Sequence, residues 1–317
     1  MVYTLTYRYY DKYVLHKDWL IKNLLFSIQK GFVVFDKNNV VMTKNDDPNY
    51  PKFIHHHGGA ANYGLVRYND LIENTNLLNS KVDSRVAIDS QVQWLVKNKV
   101  DKDGMSFWYY TFPVPVHDCK PPWKSAMSQG LILSLLVRAH HLTKNKELSE
   151  LAERVAVSMK IPTSKGGFLY IDSKDDYWYQ EYMGNCGFVL NGFIYAMWGV
   201  YDYYSYSNNE EYKMIFDRCI QTLRHNLKRY DWRPGIAKWT VYDLKDKNPV
   251  NLLYHKLHIS LLRDLYMITK EKFLLAWADR WESYIYQPNM LLVNITKHTR
   301  AQILELFKVL GKVSPPL

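Results

Sequence analysis

The amino-acid sequence is organised by a repeat, and the repeat limits what it can fold into. Helical periodicity comes in pairs: GAANYGLVRYNDLIEN (59–74) with VDSRVAIDSQVQWLVKN (82–98), SAMSQGLILSLLVRAHHL (125–142) with 146–160, 187–204 with 209–227, and 253–269 with 271–285. The pairs recur at about 65 residues, each being helix, short turn, helix and then a long loop. Helical hairpins repeated in this way bury their apolar faces on one another, as a solenoid or a closed ring. The expected fold is mainly α: an (α/α) barrel or toroid of about four helical hairpins with a small N-terminal β-hairpin. That hairpin is read from Phe32–Phe35 and Val40–Met42, separated by DKNN. In 82–98 the stripe is read as Val86, Val92, Leu95 and Val96. At the far end, Met290–Ile295 reads as a strand and 299–310 as a helix. With no Gly/Ser- or Pro-rich linker, the expected organisation is an N-terminal segment (1–58) whose hairpin packs on the barrel, the barrel itself (59–289) and a C-terminal extension (290–317).

The loops at 99–124, 161–186 and 228–252 carry Trp108, Tyr109, Tyr110, Trp123, Trp178, Tyr179, Tyr182, Trp232, Trp239 and Tyr242. Loops this long without regular structure usually serve function. Their matching places in the repeats predict an aromatic-walled cleft at one end of the barrel; the competing reading is that the rings plug its mouth. Charge adds to this. Lysine and arginine number 41 against 31 acids, a net +10, and the chain holds 26 Tyr and 10 Trp. A basic surface favours polyanions, and flat rings stack on bases or on sugars. No basic run of five or more supports a nucleic-acid tail.

Cys119, Cys186 and Cys219 are odd in number and widely spaced, which excludes a disulfide framework. No apolar run is long enough to span a membrane and the N-terminus lacks a signal-peptide core, so the expectation is a soluble, cytoplasmic chain. Phosphate-loop, dinucleotide and serine-nucleophile motifs are absent. The run His55-His56-His57 has no partner at ligand spacing, so no metal or other cofactor is expected. His255 and His258 share a helix face, where packing or substrate hydrogen bonding outweighs zinc. Asp172, Asp175, Asp176, Glu181 and Asp243 lie in the loops, but spacing selects no glycosidase pair among them.

The most informative positions put tyrosine beside charge: Glu181-Tyr182, Tyr242-Asp243-Leu244-Lys245, and Tyr254-His255 with His258. A cation that lowers a phenol by roughly two pKa units raises its phenolate about a hundredfold. Lys245, Lys238 and Arg233 are the candidate cations. Such a base suits a weakly acidic carbon-bound proton, such as one beside a uronate carboxylate, with a cation stabilising the enediolate.

Four ordered blocks then carry a resemblance: ANYGLVRYN (61–69), PPWKSAMSQGLILSLLVRAHHLT (121–143), YQEYMGNCGFVLNGFIYAMWGVYDYY (179–204) and VYDLKDKNPVNLLYHKLHISLL (241–262). Together they resemble the glucuronyl C5-epimerases acting on heparan-type chains. The resemblance implies an (α/α) barrel that reversibly converts D-glucuronate to L-iduronate within a heparosan-like acidic polysaccharide. It assigns the family's tyrosines to Tyr182, Tyr242 and Tyr254. Of these, Tyr182 and Tyr254 are expected on opposite faces of the sugar and Tyr242 near the carboxylate, with Glu181 orienting Tyr182 or bonding the sugar. Trp123, Gln129, Tyr63, Asn191, Arg233, Lys245, His255 and His258 are the expected substrate-binding residues. Animal members dimerise, and the N-terminal hairpin could support a homodimer here. Lys245 stands where the family commonly has arginine, keeping the charge but losing the two-pronged grip. Only 58 residues precede the barrel, far fewer than in the animal enzymes. A polyuronate lyase, which begins with the same proton abstraction, and a silent acidic-glycan binder are the alternatives.

Overall fold

Each of the four helix pairs forms, within a residue or three of the limits read from periodicity. They are α1 (His57–Glu73) with α2 (Ser84–Asn98), α3 (Ala126–Thr143) with α4 (Lys146–Lys160), α5 (Leu190–Ser207) with α6 (Glu210–Asn226), and α7 (Leu252–Thr269) with α8 (Lys272–Ser283). The computed structural model describes residues 24–76, 78–184, 187–233 and 238–285. The strand read at Met290–Ile295, the helix read at 299–310, and Cys186 lie outside them. The chain divides into two compact units between His225 and Asn226.

Within each pair the two helices differ in burial, and the sequence says why. The first members α1, α3 and α5 are buried on nearly every side; α3 buries Ala126 and every residue from Ser128 to Ala139. The second members are amphipathic. Helix α4 buries Leu148, Leu151, Ala152, Val155, Ala156 and Met159, and α6 buries Tyr212, Ile215, Phe216, Cys219, Ile220 and Leu223, both at i, i+3, i+4, i+7 spacing. The stripe read in α2 is shifted. Val86 is 49 % exposed, and the buried face is Ala87, Ile88, Gln91, Val92 and Leu95. Six residues from Val86 to Val92 turn the helix by about 600°, which puts the two on different faces.

Three of the pairs turn alike. Lys144, Asn208 and Lys270 each adopt left-handed backbone at a helix C-cap (φ 56°, 55° and 59°), and the next residue opens the following helix. Asn145 and Asn209 cap those helices by accepting from the backbone N–H of Glu147 and Glu211, both at 3.0 Å.

In the first unit α3 packs against α1, α4 and α5. Its crossing with α5 brings backbones into contact: a Cβ on Gly199 would lie 2.3 Å from Gly130 O. Further along the same helices, the buried Arg138 and Asp202 pair at 2.6 Å. The N-terminal β-element holds three strands, one more than expected: β1 (Val33–Phe35), β2 (Val41–Lys44) and β3 (Phe53–His55), antiparallel in that order. Gln91 of α2 fastens it, accepting from Val41 N at 3.1 Å and donating to Asn39 O at 2.7 Å.

The inter-pair loops are not irregular, as had been expected. Each contains a short antiparallel ladder: β4 (Val100–Lys102) with β5 (Met105–Phe107), β6 (Leu169–Ile171) with β7 (Tyr177–Tyr179), and β8 (Asp231–Trp232) with β9 (Trp239–Thr240). Runs such as Tyr177-Trp178-Tyr179 suit a pleated, half-buried surface. Trp108, Tyr110, Trp178, Tyr179 and Trp239 are accordingly buried.

Candidate active site

A cleft of about 660 Å³ opens in the first unit. Tyr109, Trp123 and Tyr170 supply rings, Lys120 and Lys124 supply cations against the carboxylate of Asp118, and Gln180, Met183 and Gly184 bring the chain on either side of Tyr182 to its edge. The wall is built from β5 and the segment after it. Trp123 pairs with Tyr110 through both backbone hydrogen bonds, stacks on its ring at 4.3 Å, and donates from Nε1 to Phe112 O at 2.7 Å. The Tyr110 hydroxyl accepts from Gly58 N at the start of α1 and lies 2.7 Å from Ser128 Oγ on α3. The cleft floor is thus tied to two helices. Lys124 lies over the Phe107 and Phe168 rings and donates to Gly166 O at 2.6 Å. Burial, with Lys102 nearby, pulls its ammonium below the usual range.

Tyr182 stands at this wall, its ring stacked on His117 at 4.0 Å and tilted against Trp123 at 5.5 Å. Glu181 is buried beside it, at the N-terminus of α5. A Cβ at Gly192 would lie 2.3 Å from Glu181 Oε2, so only glycine at that position lets the carboxyl fit. Burial pushes the Glu181 carboxyl up to about 7, against the lowering effect of a hydrogen bond with Tyr182. Oε2 has no hydrogen-bond partner among the described residues, and neither has Asn191 Oδ1. A carboxyl poised near neutrality and bonded to a phenol is equipped to exchange protons with it. This differs from the cation-activated tyrosine expected from sequence.

The second unit holds the other two tyrosines. Tyr242 follows β9 and Tyr254 lies in the first turn of α7, where Asn251 Oδ1 accepts from Tyr254 N at 3.0 Å. Their rings meet edge to face at 5.7 Å. Asp243 is spent on a turn, its Oδ1 accepting from Lys245 N (2.8 Å) and Asp246 N (2.7 Å), and Lys245 is exposed beyond it.

Several expected substrate residues are instead built into the fold. Gln129 donates to Ser106 O at 2.7 Å and Ser158 Oγ at 2.8 Å, joining α3 to β5 and α4. Tyr63 is buried against Phe35, under the three-stranded sheet. His255 is fully buried, its ring 3.8 Å from Trp239 and both nitrogens bonded. His258 is fully buried too. Arg233 differs from these in being exposed; it pairs with Asp231 at 2.7 Å and donates to the Tyr284 hydroxyl at 2.8 Å. The three adjacent histidines are taken up by ring packing: His55 and His57 both stack on Trp94, at 5.0 and 5.1 Å, His56 and His57 both lie against Tyr110, and His55 also meets Asp36 at 3.0 Å. Tyr109 lines the cleft as the loop aromatics predicted, whereas His117, Lys120 and Lys124 were missed; the lysines flanking Pro121-Pro122-Trp123 were the readable signal.

The paired-helix scaffold thus carries a ring-lined cleft with two lysines and, beside it, a buried carboxyl hydrogen-bonded to a part-buried phenol, the kind of pair found where acid–base chemistry is done. Residues 102–283 match the family described as D-glucuronyl C5-epimerase C-terminus, and the chain belongs to that family. It is 32 % identical over 224 residues to the D-glucuronyl C5-epimerase of Caenorhabditis elegans, covering 63 % of this chain and 35 % of that one. It is also 28 % identical over 189 residues to an uncharacterized protein of Methanocaldococcus jannaschii, covering 58 % of this chain and 60 % of that protein. The chain thus spans about a third of the nematode protein and three fifths of the archaeal one. Among solved structures, a GH76 α-mannanase of Bacteroides thetaiotaomicron superposes with a TM-score of 0.50 at 13 % identity, covering 84 % of this chain and 69 % of that one. A D-mannose isomerase gives 0.50 at 11 %, covering 79 % and 65 %. These two share the fold.

Proposed function

We propose that this chain epimerises uronate residues at C5 within an acidic polysaccharide, interconverting D-glucuronate and L-iduronate in a heparosan-like polymer. The observation that carries the proposal is the Glu181–Tyr182 pair beside a basic, ring-lined cleft, in a chain of this family. In the first step the C5 proton passes to the Tyr182 oxygen while the Tyr182 proton passes to the Glu181 carboxylate. The C–H electrons move into the uronate carboxylate as an enediolate. A carboxylate with its pKa near 7 is a stronger proton acceptor than an ordinary one. Inversion needs a second acid–base group to return a proton to the other face. Tyr254, with Tyr242 beside it, takes that role on its place in the family's tyrosine–histidine block, and Lys245 is the cation assigned to the uronate carboxylate. Residues 59–289 are taken as the catalytic domain.

The test is heparosan incubated with the protein in heavy water and followed by proton NMR. Loss of the uronate H-5 signal with growth of iduronate signals, both absent in Tyr182→Phe and Tyr254→Phe, is the expected result. Absorbance of an unsaturated uronate would make the protein a lyase. Binding without exchange would make it an acidic-glycan receptor.

A further inference from the structure

On the strand and helix that lead to the two tyrosines of the second unit lies a buried hydrogen-bond relay whose proton positions can be deduced. His255 Nε2 faces Trp281 O at 2.8 Å. A carbonyl only accepts, so Nε2 carries the proton and Nδ1 of the same neutral ring is an acceptor. Thr240 Oγ1, 2.9 Å from that Nδ1, therefore donates to it. The threonine has one hydroxyl proton and has now used it. Its second contact, to His258 Nδ1 at 3.3 Å, must be one in which it accepts. His258 is thereby the Nδ1–H tautomer, leaving Nε2 as a bare lone pair; this Nε2 is the His258 atom buried without a partner among the described residues. Burial keeps both rings neutral, lowering His255 to about 4 and His258 to about 3.

Thr240 closes β9, two residues before Tyr242, and His255 and His258 follow Tyr254 in the first turns of α7. Backbone bonds support the same junction: Val250 N donates to Thr240 O and Tyr242 N to Asn248 O, both at 3.0 Å. Trp239, stacked on His255, donates to Val250 O at 2.8 Å. We propose that Thr240 is a positioning residue: its hydroxyl, accepting from His258 and donating to His255, clamps the strand that leads to Tyr242 onto the helix that carries Tyr254, and so sets the geometry of the tyrosine pair. That these tyrosines transfer protons rests on the function proposed above; the clamp and its tautomers do not.

Nitrogen-15 NMR of the wild-type chain reads the rings directly, and the expected pattern is protonated Nε2 on His255 and protonated Nδ1 on His258. Thr240→Val keeps the shape and removes the relay. It is expected to shift the Tyr242 and Tyr254 ring resonances and to lower kcat for H-5 exchange about tenfold or more, with KM within about threefold. Thr240→Ser, which retains the hydroxyl, is expected to recover most of that loss. The opposite tautomers, or tyrosine resonances unmoved in Thr240→Val, would overturn the clamp. Should Thr240→Val not fold, the wild-type tautomers still decide. Should the wild-type chain exchange no H-5 proton, the functional reading fails, and the ring nitrogens and tyrosine resonances judge the clamp alone.

Discussion

Glu181 shows how a single side chain acquires a chemical role from its surroundings. In sequence it is one of several loop acids; the others are consumed by structure. Asp172 and Asp243 accept backbone N–H groups in tight turns, and Asp176 pairs with His225 at 2.7 Å. Glu181 alone is buried against a helix start with one oxygen unbonded among the described residues and Tyr182 on hand. If it must be ionised to take the tyrosine proton, kcat/KM for epimerisation rises with pH through about 7, tenfold per unit below it, and Glu181→Gln removes that limb. A pH profile flat from 5.5 to 8 in the wild-type chain would dismiss Glu181 as proton acceptor. Gly192→Ala, which pushes a methyl against the carboxyl, is expected to lower kcat in an otherwise folded chain; the paired measurement is activity against circular dichroism.

At the scale of the elements, helix ends and helix crossings were legible to different degrees. Periodicity placed the pairs because each second helix buries one stripe, and the Asn caps mark where α4 and α6 start. It could not place the loop ladders, since strands of two or three residues leave little pattern and depend on the partner strand. Left-handed lysines at Lys144 and Lys270 hold positions where glycine costs less. Lys144→Gly and Lys270→Gly are each expected to stabilise by about 1 kcal/mol, read as a raised midpoint in urea unfolding. Gly199→Ala should do the reverse, losing about 2 kcal/mol or more, because α3 and α5 would have to separate. Equal midpoints for Gly199→Ala and the wild type would mean that the two backbones do not touch.

The whole molecule is sensitive to acid through histidines buried in both units. His57 in the first, and His255 and His258 in the second, have folded values of about 3 to 4, below the ordinary 6.5. The unfolded chain takes up those protons first, so stability is lost as pH falls below about 6.5, and the loss continues until the folded values are reached. At pH 5 the cost is about 2 kcal/mol for each histidine. Glu181 works the other way: its raised value means stability is lost as pH rises from about 4.5 through 7, so acidification returns about 2 kcal/mol once. Three histidines outweigh one glutamate, and the thermal midpoint is expected to fall between pH 7 and pH 5. A rise over that interval would show that the rings are not buried neutral. Sequence alone determined the helical pairs, the β-hairpin and, through four ordered blocks, the family, because local periodicity and motif order are written along the chain. Only the tertiary structure decided which polar residues face a ligand. Gln129, His255 and His258 carry the same chemistry whether they bind a sugar or hold helices together, and burial with bonded partners is a property of the folded surroundings. The same is true of Glu181, whose carboxyl is raised to about 7 by the exclusion of water in the folded chain.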